Sequence, residues 1–200
     1  MTSRLHIVTP CTRIKNIVSI LRSIIDGKSG IDVEVRWWIV FDLTVESIPE
    51  PSLWKVVEFV TPVCHYTRDK GIFYGGPQRS RALDLIQDGY VTFVDDDTIV
   101  HPDYFRRVVP HLDRGVGGLL YGQELRREFW DGRPDGLKWF DLKDPLSDFE
   151  YAQMTVRRDV IGDVRHEGGY DNDKKFGRKV YRQDIFTILP HTLSYYNWIR

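Results

Sequence analysis

The chain has 200 residues, of which 42% are hydrophobic, and its 28 Lys and Arg nearly balance its 29 Asp and Glu, for a formal net charge of -1. This length and hydrophobic content suffice for one sizeable core, so we expect a single domain over residues 1–200. The balanced charge gives no chain-wide basic field, which argues against a generic nucleic-acid partner.

The cysteines and the amino terminus narrow the class of protein further. Cys11 and Cys64 are the only cysteines, and they lie far apart without a CxxC or Cys/His spacing, so neither a zinc site nor a disulfide framework is indicated. The first residues lack an apolar signal core, and no apolar run approaches the roughly 18 residues that a membrane helix needs. We therefore expect a soluble cytoplasmic protein without a signal peptide or an integral membrane segment.

Predicted strands and helices alternate through the first half of the chain. Residues 5–9 form a short apolar run that ends at Pro10, and apolar residues then recur at helical spacing over residues 14–25. Residues 33–42 are dense in Val, Trp and Ile, as in a strand buried on both faces, and residues 56–63 can supply a third strand. This alternation predicts an α/β domain with a mainly parallel central sheet and helices on both faces.

The next predicted pair of elements leads to an acidic segment. A glycine-rich turn over residues 71–77 precedes a helix that begins at Gln78 and stops near Gly89. Residues 90–94 are then predicted to form a strand that runs directly into three aspartates. In open α/β sheets, ligands bind beyond the carboxyl ends of the strands, so these acids are expected at a ligand site.

The second half of the chain is less regular. Residues 126–147 are polar, aromatic and rich in Gly and Pro, which favours a surface loop or lid over a core element. Asp173 is predicted to cap a short helix that ends near Arg182. The other predicted elements of this half are a helix over residues 101–112 and strands over residues 117–125, 151–156 and 185–189.

Three consecutive aspartates, Asp95, Asp96 and Asp97, follow the apolar strand. In an extended strand end, Asp95 and Asp97 would project to one side and Asp96 to the other. Two like charges about 5 Å apart repel by about 3 kcal/mol at an effective dielectric constant near 20, and a bound Mg²⁺ or Mn²⁺ would reverse that cost. All-oxygen ligands suit these hard cations rather than zinc. The alternative is that Asp97 or Thr98 caps a following helix, which accounts for one acid but not for three.

The segment that leads into the aspartates resembles a known family of enzymes. Residues 78–97 read QRSRALDLIQDGYVTFVDDD. This looks like the glycosyltransferases of the GT-A fold, especially inverting enzymes of the large family 2 type, in which an Ala-Arg-Asn segment precedes a Gly-x-Tyr strand and a metal-binding Asp-x-Asp motif. Arg79 falls at the matching distance, whereas Ser80 replaces the asparagine that follows this arginine in the family.

The resemblance implies that the chain binds a nucleotide-sugar, with UDP as the commonest nucleotide among similar enzymes. The end of the first predicted strand, followed by Arg13, looks like the family's loop under the nucleotide base. Asp42 matches the acid that ends the family's second strand and would contact uracil or ribose. The full set of nucleotide-sugar-binding residues implied in this way comprises Thr9, Pro10, Arg13, Asp42, Arg79, Asp95 and Asp96.

The resemblance also implies a divalent cation, Mn²⁺ or Mg²⁺, at the aspartates. Asp95 would face the ribose or the metal, Asp97 would ligate the metal, and Arg79 would meet the nucleotide or its diphosphate. Many GT-A enzymes place a late histidine on the metal, and His191 is the candidate for that ligand, although it follows Asp173 at a shorter distance than expected. The implied metal ligands are therefore Asp95, Asp97 and His191.

A later segment resembles the family's catalytic region. Residues 168–173 read GGYDND and look like the Gly-Gly-Phe-Asp stretch that leads to the family's Glu-Asp pair before a helix. The resemblance implies that Asp173 is the catalytic base, although Asn172 stands where the family usually has glutamate and the spacing is compressed. Asp171 therefore stays a competing candidate for the base, and Asp184 is a more distant one.

The activity that the resemblance implies is metal-dependent transfer of a sugar to a hydroxyl of a glycan or glycoprotein acceptor, with inversion at the anomeric carbon. Residues 1–100 would form the nucleotide-sugar-binding half and residues 101–200 the acceptor-binding half. Two alternatives stay open. A nucleotidyltransferase also uses paired aspartates and metal, but its glycine-rich phosphate loop is missing between Thr9 and Arg13. In a non-catalytic nucleotide-sugar-binding module, Asp173 would be only a helix cap.

Overall fold

A computed structural model describes residues 3–42, 60–67, 75–125, 136–138, 150–167, 171–196 and 198–199. Its strands are β1 (Arg4–Cys11), β2 (Glu34–Asp42), β3 (Val60–Thr67), β4 (Tyr90–Phe93), β5 (Ile99–Val100), β6 (Gly118–Leu125), β7 (Gly136–Lys138), β8 (Met154–Arg157) and β9 (Phe186–Tyr196). Its α-helices are α1 (Ile17–Lys28), α2 (Gly76–Leu85), α3 (Tyr104–Leu112), α4 (Arg158–Ile161) and α5 (Asn172–Tyr181).

The strands in the described ranges form one sheet in the order β3-β2-β1-β4-β8-β6-β9-β5, with β7 paired to β6. Strand β1 is parallel to both β2 and β4, β2 is parallel to β3, and β6 is parallel to β9. Strand β8 is antiparallel to both β4 and β6, while β5 and β7 are antiparallel to their partners. Six strands therefore run in one direction and three in the other, which confirms the predicted mainly parallel sheet.

Apolar side chains cover the sheet on both faces, as predicted. Ile7 of β1 belongs to a buried cluster that includes residues of α1 and α3, among them Phe105. The next residue, Val8, belongs to a second cluster with Leu83 of α2 and Phe176 of α5. Consecutive side chains of a strand point to opposite faces, so a strand covered on both sides must be apolar almost continuously. This requirement explains the dense apolar runs in the sequence of the first half.

The boundaries of several predicted elements shift in the structure. The third strand lies at Val60–Thr67, later than the predicted residues 56–63, of which 56–59 lie outside the described residues. Helix α2 begins at Gly76, inside the predicted glycine-rich turn, with Pro77 in its first turn. The predicted loop over residues 126–147 lies outside the described part of the chain, except for β7.

Three elements of the second half also differ from the prediction. Helix α3 begins at Tyr104 and not at the predicted residue 101, so Pro102 precedes the helix. Residues 151–153 are predicted as part of a strand but form a 3-10 turn. Glu150 lies directly before this turn, and its side chain caps it. Strand β9 extends to Tyr196, beyond the predicted end at residue 189, because its continuation pairs with β5 and with the end of β6. None of the helices in the described ranges combines the length and the apolarity needed to cross a bilayer.

His6 of β1 is a buried titratable side chain away from the acidic segment. Trp38 Nε1 donates a hydrogen bond of 2.8 Å to His6 Nδ1, and His6 is 1% exposed. Burial lowers the pKa of His6 from 6.5 to about 4, although the nearby carboxylate of Asp88 opposes this shift. The neutral ring is therefore the form that the folded protein holds at neutral pH.

We expect His6 to make the protein less stable in mild acid. Because the pKa of His6 is lower in the folded chain, the unfolded chain takes up the proton first, so stability is lost as the pH falls from about 6.5 towards 4. Between pH 7 and pH 5 this amounts to about 2 kcal/mol in the free energy of unfolding. His6→Asn keeps an acceptor for Trp38 and removes the titration, so urea unfolding of this variant should depend less on pH. An equal pH dependence in both proteins would contradict the prediction.

Candidate functional site

The carboxyl ends of the parallel strands bring several of the predicted site residues to one edge of the sheet. Cys11 at the end of β1 pairs with Phe41 of β2, and Val8 pairs with Phe93, the last residue of β4. Asp42, the last residue of β2, therefore lies at the same edge as the loop after β1 and the aspartates after β4. The edge is the place where an open α/β sheet binds its ligands.

The aspartates form a turn and do not continue the strand. Strand β4 ends at Phe93, and the backbone N–H of Thr98 donates to the carbonyl of Asp95 at 2.9 Å. Side chains alternate only along an extended backbone, so the expected pattern, with Asp95 and Asp97 on one side and Asp96 on the other, is wrong. Asp96 and Asp97 instead converge on Arg13, while Asp95 pairs with Arg79.

Asp96 fastens the loop after β1 to this turn. Its Oδ2 accepts hydrogen bonds from the backbone N–H of Thr12 at 2.7 Å, the hydroxyl of Thr12 at 2.9 Å and the backbone N–H of Arg13 at 2.6 Å. Its Oδ1 accepts a further bond of 2.6 Å from Arg13 Nη1. The residue is 5% exposed. Its oxygens therefore hold the loop in place, and a direct contact of Asp96 with a nucleotide stays a prediction.

Asp97 is buried and also receives the guanidinium of Arg13. Arg13 Nη1 lies 2.9 Å from Asp97 Oδ2, and Asp97 is 5% exposed, so it does not face solvent openly. Burial disfavours the charge on Arg13, but the carboxylates of Asp96 and Asp97 outweigh that effect and raise the pKa of Arg13. On the backbone side, the carbonyl of Asp97 accepts a bond of 2.9 Å from the N–H of Trp198, so the end of the described chain rests on the acidic turn.

Arg79 is a buried cation on α2 that holds the first aspartate. Its guanidinium is hydrogen-bonded to Asp95 and lies 4.1 Å from the centre of the Tyr151 ring. Arg79 is 2% exposed. Burial raises the pKa of Asp95, although the charge of Arg79 opposes the shift. The resemblance to family 2 enzymes singled out Arg79, and the structure brings it to the acidic turn.

Gly75 allows the start of α2 to pack closely against the end of β1. Gly75 precedes the helix with a φ of 75°, a left-handed conformation that favours glycine. A Cβ atom at this position would lie 2.8 Å from Cβ of Pro10 and 2.9 Å from Arg79 Nη1. Pro10 therefore packs under the start of α2. Thr9 is fully buried, and its hydroxyl accepts a bond of 2.9 Å from Trp37 Nε1, so its side chain lies in the core.

Asp171 and Asp173, the two main candidates for the base, lie at the start of α5. Helix α5 begins at Asn172, so Asp171 occupies the N-cap position and the expectation that Asp173 caps the helix is wrong. Burial has the largest influence on the pKa values of Arg79 and Tyr151, and the charge of Asp173 has a smaller influence that raises both. Asp171 is exposed and Asp173 is partly buried. Asp173 therefore lies within electrostatic range of Arg79, and its role as the base stays a prediction.

Two other candidates are Asp184, which lies away from the acidic turn, and His191. Asp184 Oδ2 is 3.4 Å from Arg157 Nη2, and Arg157 pairs with Tyr90, the first residue of β4, so Asp184 lies at the opposite edge of the sheet. His191 is on β9, whose later residues Ser194 and Tyr195 pair with β5 directly after the acidic turn. A contact of His191 with a metal stays a prediction.

The carboxylates of Asp95 and Asp97 have the chemistry of Mg²⁺ or Mn²⁺ ligands. Within the described ranges, no three His, Cys, Asp or Glu residues lie together as a metal-binding group. Mg²⁺, however, is commonly held by one or two carboxylates together with substrate phosphates and water. Each of the two carboxylates is paired with an arginine in this structure, Asp97 with Arg13 and Asp95 with Arg79, and a metal held by both stays a prediction.

Sequence reasoning missed two residues that line this region. His166 Nδ1 and the hydroxyl of Tyr151 are 2.7 Å apart, and the His166 ring stacks on Phe176 with the ring centres 4.0 Å apart. Burial, with the charges of Arg79 and Arg165, lowers the pKa of His166 well below 6.5, so the ring is neutral at neutral pH. These residues come from separate elements and belong to no sequence motif, so local spacing carries no signal for them.

The sheet and its polar edge define a Rossmann-like α/β domain of the GT-A type. No protein-family model matches the sequence, and no curated protein sequence matches it. Among solved structures, the fold is similar to residues 1–349 of TarS from S. aureus, with a TM-score of 0.78, 15% sequence identity, and coverage of 96% of this chain and 60% of that chain.

Two further TarS structures contain ligands. The complex of residues 1–349 with UDP-GlcNAc has a TM-score of 0.75 at 16% identity, over 96% of this chain and 58% of that chain. The complex with UDP has a TM-score of 0.73 at 16% identity, over 96% and 60%. The present chain thus spans about 60% of the length of these matched chains. At this level of identity, the likeness establishes the fold.

Proposed function

We propose that this protein is a glycosyltransferase that moves a sugar from a nucleotide-sugar, with UDP as the nucleotide, to a hydroxyl of an acceptor glycan or glycoprotein. The observation that carries the proposal is the meeting of the acidic turn and the buried Arg79 at the carboxyl edge of the sheet. The GT-A-like fold shared with TarS, which binds UDP-GlcNAc and UDP, supports it.

The donor would bind across the ends of β1, β2 and β4. Arg79 carries a positive charge that burial keeps away from water, so its interaction with a diphosphate is screened less than at the surface. Its bond to Asp95 fixes the orientation of both side chains. Asp95 and Asp97 would hold Mn²⁺ or Mg²⁺, whose chemistry when bound is to neutralise the charge that develops on the departing nucleoside diphosphate.

Asp173 would act as the general base. Its carboxylate takes the proton from the acceptor hydroxyl as the acceptor oxygen forms a bond to the anomeric carbon. The bond between that carbon and the diphosphate oxygen breaks, and its electron pair leaves with the nucleoside diphosphate. A single displacement from the face opposite the leaving group inverts the anomeric configuration.

A donor screen tests the proposal. We expect UDP-sugars in the presence of Mn²⁺ to raise the melting temperature of the protein, and we expect the protein to release UDP from at least one of them when glycan acceptors are supplied. Tight binding of UDP-sugars without release of UDP under any acceptor condition would favour a binding module. Release of pyrophosphate from a nucleoside triphosphate and a sugar phosphate would favour a nucleotidyltransferase.

A further inference from the structure

The guanidinium of Arg13 already neutralises the carboxylate that the proposed function assigns to the metal. Arg13 Nη1 lies 2.6 Å from Asp96 Oδ1 and 2.9 Å from Asp97 Oδ2, so one nitrogen bridges the two acids. A divalent cation that approaches Asp97 therefore competes with a cation from the chain itself. Such competition weakens the binding of the metal alone, because the ion pair with Arg13 must first be broken.

The loop that carries Arg13 does not depend on this guanidinium. The backbone N–H groups of Thr12 and Arg13 and the hydroxyl of Thr12 all donate to Asp96 Oδ2. These three bonds fix the backbone at Arg13 wherever its side chain points. The Arg13 side chain is 39% exposed, whereas that of Asp97 is 7% exposed. The guanidinium can therefore leave Asp97 by rotation of its own side chain, without movement of the loop.

The charges at the site indicate where the Arg13 guanidinium would move after it leaves Asp97. The carboxylates of Asp96 and Asp97 pair with Arg13, and that of Asp95 pairs with Arg79. A diphosphate adds negative charge at the same edge, and arginine is well suited to bind phosphate oxygens through its several N–H groups. The arrival of a divalent cation at Asp97 frees Arg13, and the arrival of a diphosphate provides it with a new partner.

We propose that Arg13 exchanges partners when the donor binds: its guanidinium moves from Asp97 to the diphosphate, and Asp97 becomes available to the divalent cation. This inference rests on the proposed function. The exchange of partners makes the metal and the nucleotide bind cooperatively. By thermodynamic linkage, each must strengthen the binding of the other by the same factor.

The test measures Mn²⁺ binding directly, by the electron paramagnetic resonance signal of the free ion, with and without UDP. For the wild-type protein, we expect UDP to tighten Mn²⁺ binding at least tenfold. For Arg13→Gln, we expect Mn²⁺ alone to bind at least tenfold more tightly than to the wild type, UDP to bind more weakly, and the effect of UDP on Mn²⁺ to shrink. Arg22→Gln, at an exposed position of α1, is the matched control and should behave as the wild type.

Several outcomes would overturn the inference. Unchanged binding of Mn²⁺ alone to Arg13→Gln would show that Arg13 does not compete for Asp97, as would equal Mn²⁺ binding by the wild type with and without UDP. If circular dichroism shows that Arg13→Gln is unfolded, Arg13→Lys replaces it, with a smaller change expected in the same direction. Failure of UDP to bind under any condition would contradict the proposed function, whereas the measurement with Mn²⁺ alone would still decide whether Arg13 competes for Asp97.

Discussion

Replacement of Asp97 by asparagine should abolish the Mn²⁺-dependent binding of UDP while the fold stays intact. The amide has nearly the same shape as the carboxylate but lacks the charge that a divalent cation requires from its ligands. We expect the affinity for UDP in the presence of Mn²⁺, measured by calorimetric titration, to fall at least 100-fold. The melting temperature should change by only a few degrees, because Asp96 still holds Arg13 and the backbone carbonyl of Asp97 still accepts from Trp198.

A surface variant serves as the control for this measurement. Asp26→Asn removes one negative charge from an exposed position of α1 and should leave UDP affinity unchanged. Unchanged affinity in Asp97→Asn would count against Asp97 as a metal ligand. A similar loss in Asp26→Asn would show that the effect reflects the net charge of the protein and not the site.

Replacement of Asp173 by asparagine should preserve donor binding and remove sugar transfer. The amide cannot accept the proton of the acceptor hydroxyl, and loss of a general base typically lowers the rate by about 10²-fold to 10⁴-fold. The guanidinium of Arg79 is hydrogen-bonded to Asp95, which this substitution does not change, so the Asp95–Arg79 pair should survive. We therefore expect a fall in kcat of this size with an unchanged affinity for UDP.

Two matched variants complete this experiment. Asp171→Asn changes the competing candidate on the exposed N-cap of α5, and Asp184→Asn changes an acid at the opposite edge of the sheet. Both should keep full activity. Full activity of Asp173→Asn together with loss in Asp171→Asn would assign the base to Asp171. Full activity in all three variants would remove all of these acids from the catalytic step.

The candidate site was predictable from the sequence in part. The position of Arg79 relative to the aspartates pointed to a shared site, and the structure places its guanidinium on Asp95. The orientations of Asp96 and Asp97 were not predictable, because the pattern of side chains assumed a strand where the chain forms a turn. The position of Asp184 in the sequence did not indicate that it lies beside Arg157, near the start of β4 and away from the acidic turn.

The sequence by itself determined the sheet and the edge that carries the acids. Apolar residues at strand and helix spacing predict β1, α1, β2 and β4, because burial of one face or two imposes a local periodicity on the chain. Only the tertiary structure decided which cation each carboxylate meets. Arg13 lies 83 and 84 positions before Asp96 and Asp97. An ion pair between such distant residues depends on how the β1 and β4 loops are placed by the packing of the whole sheet, and local periodicity contains no information about that placement.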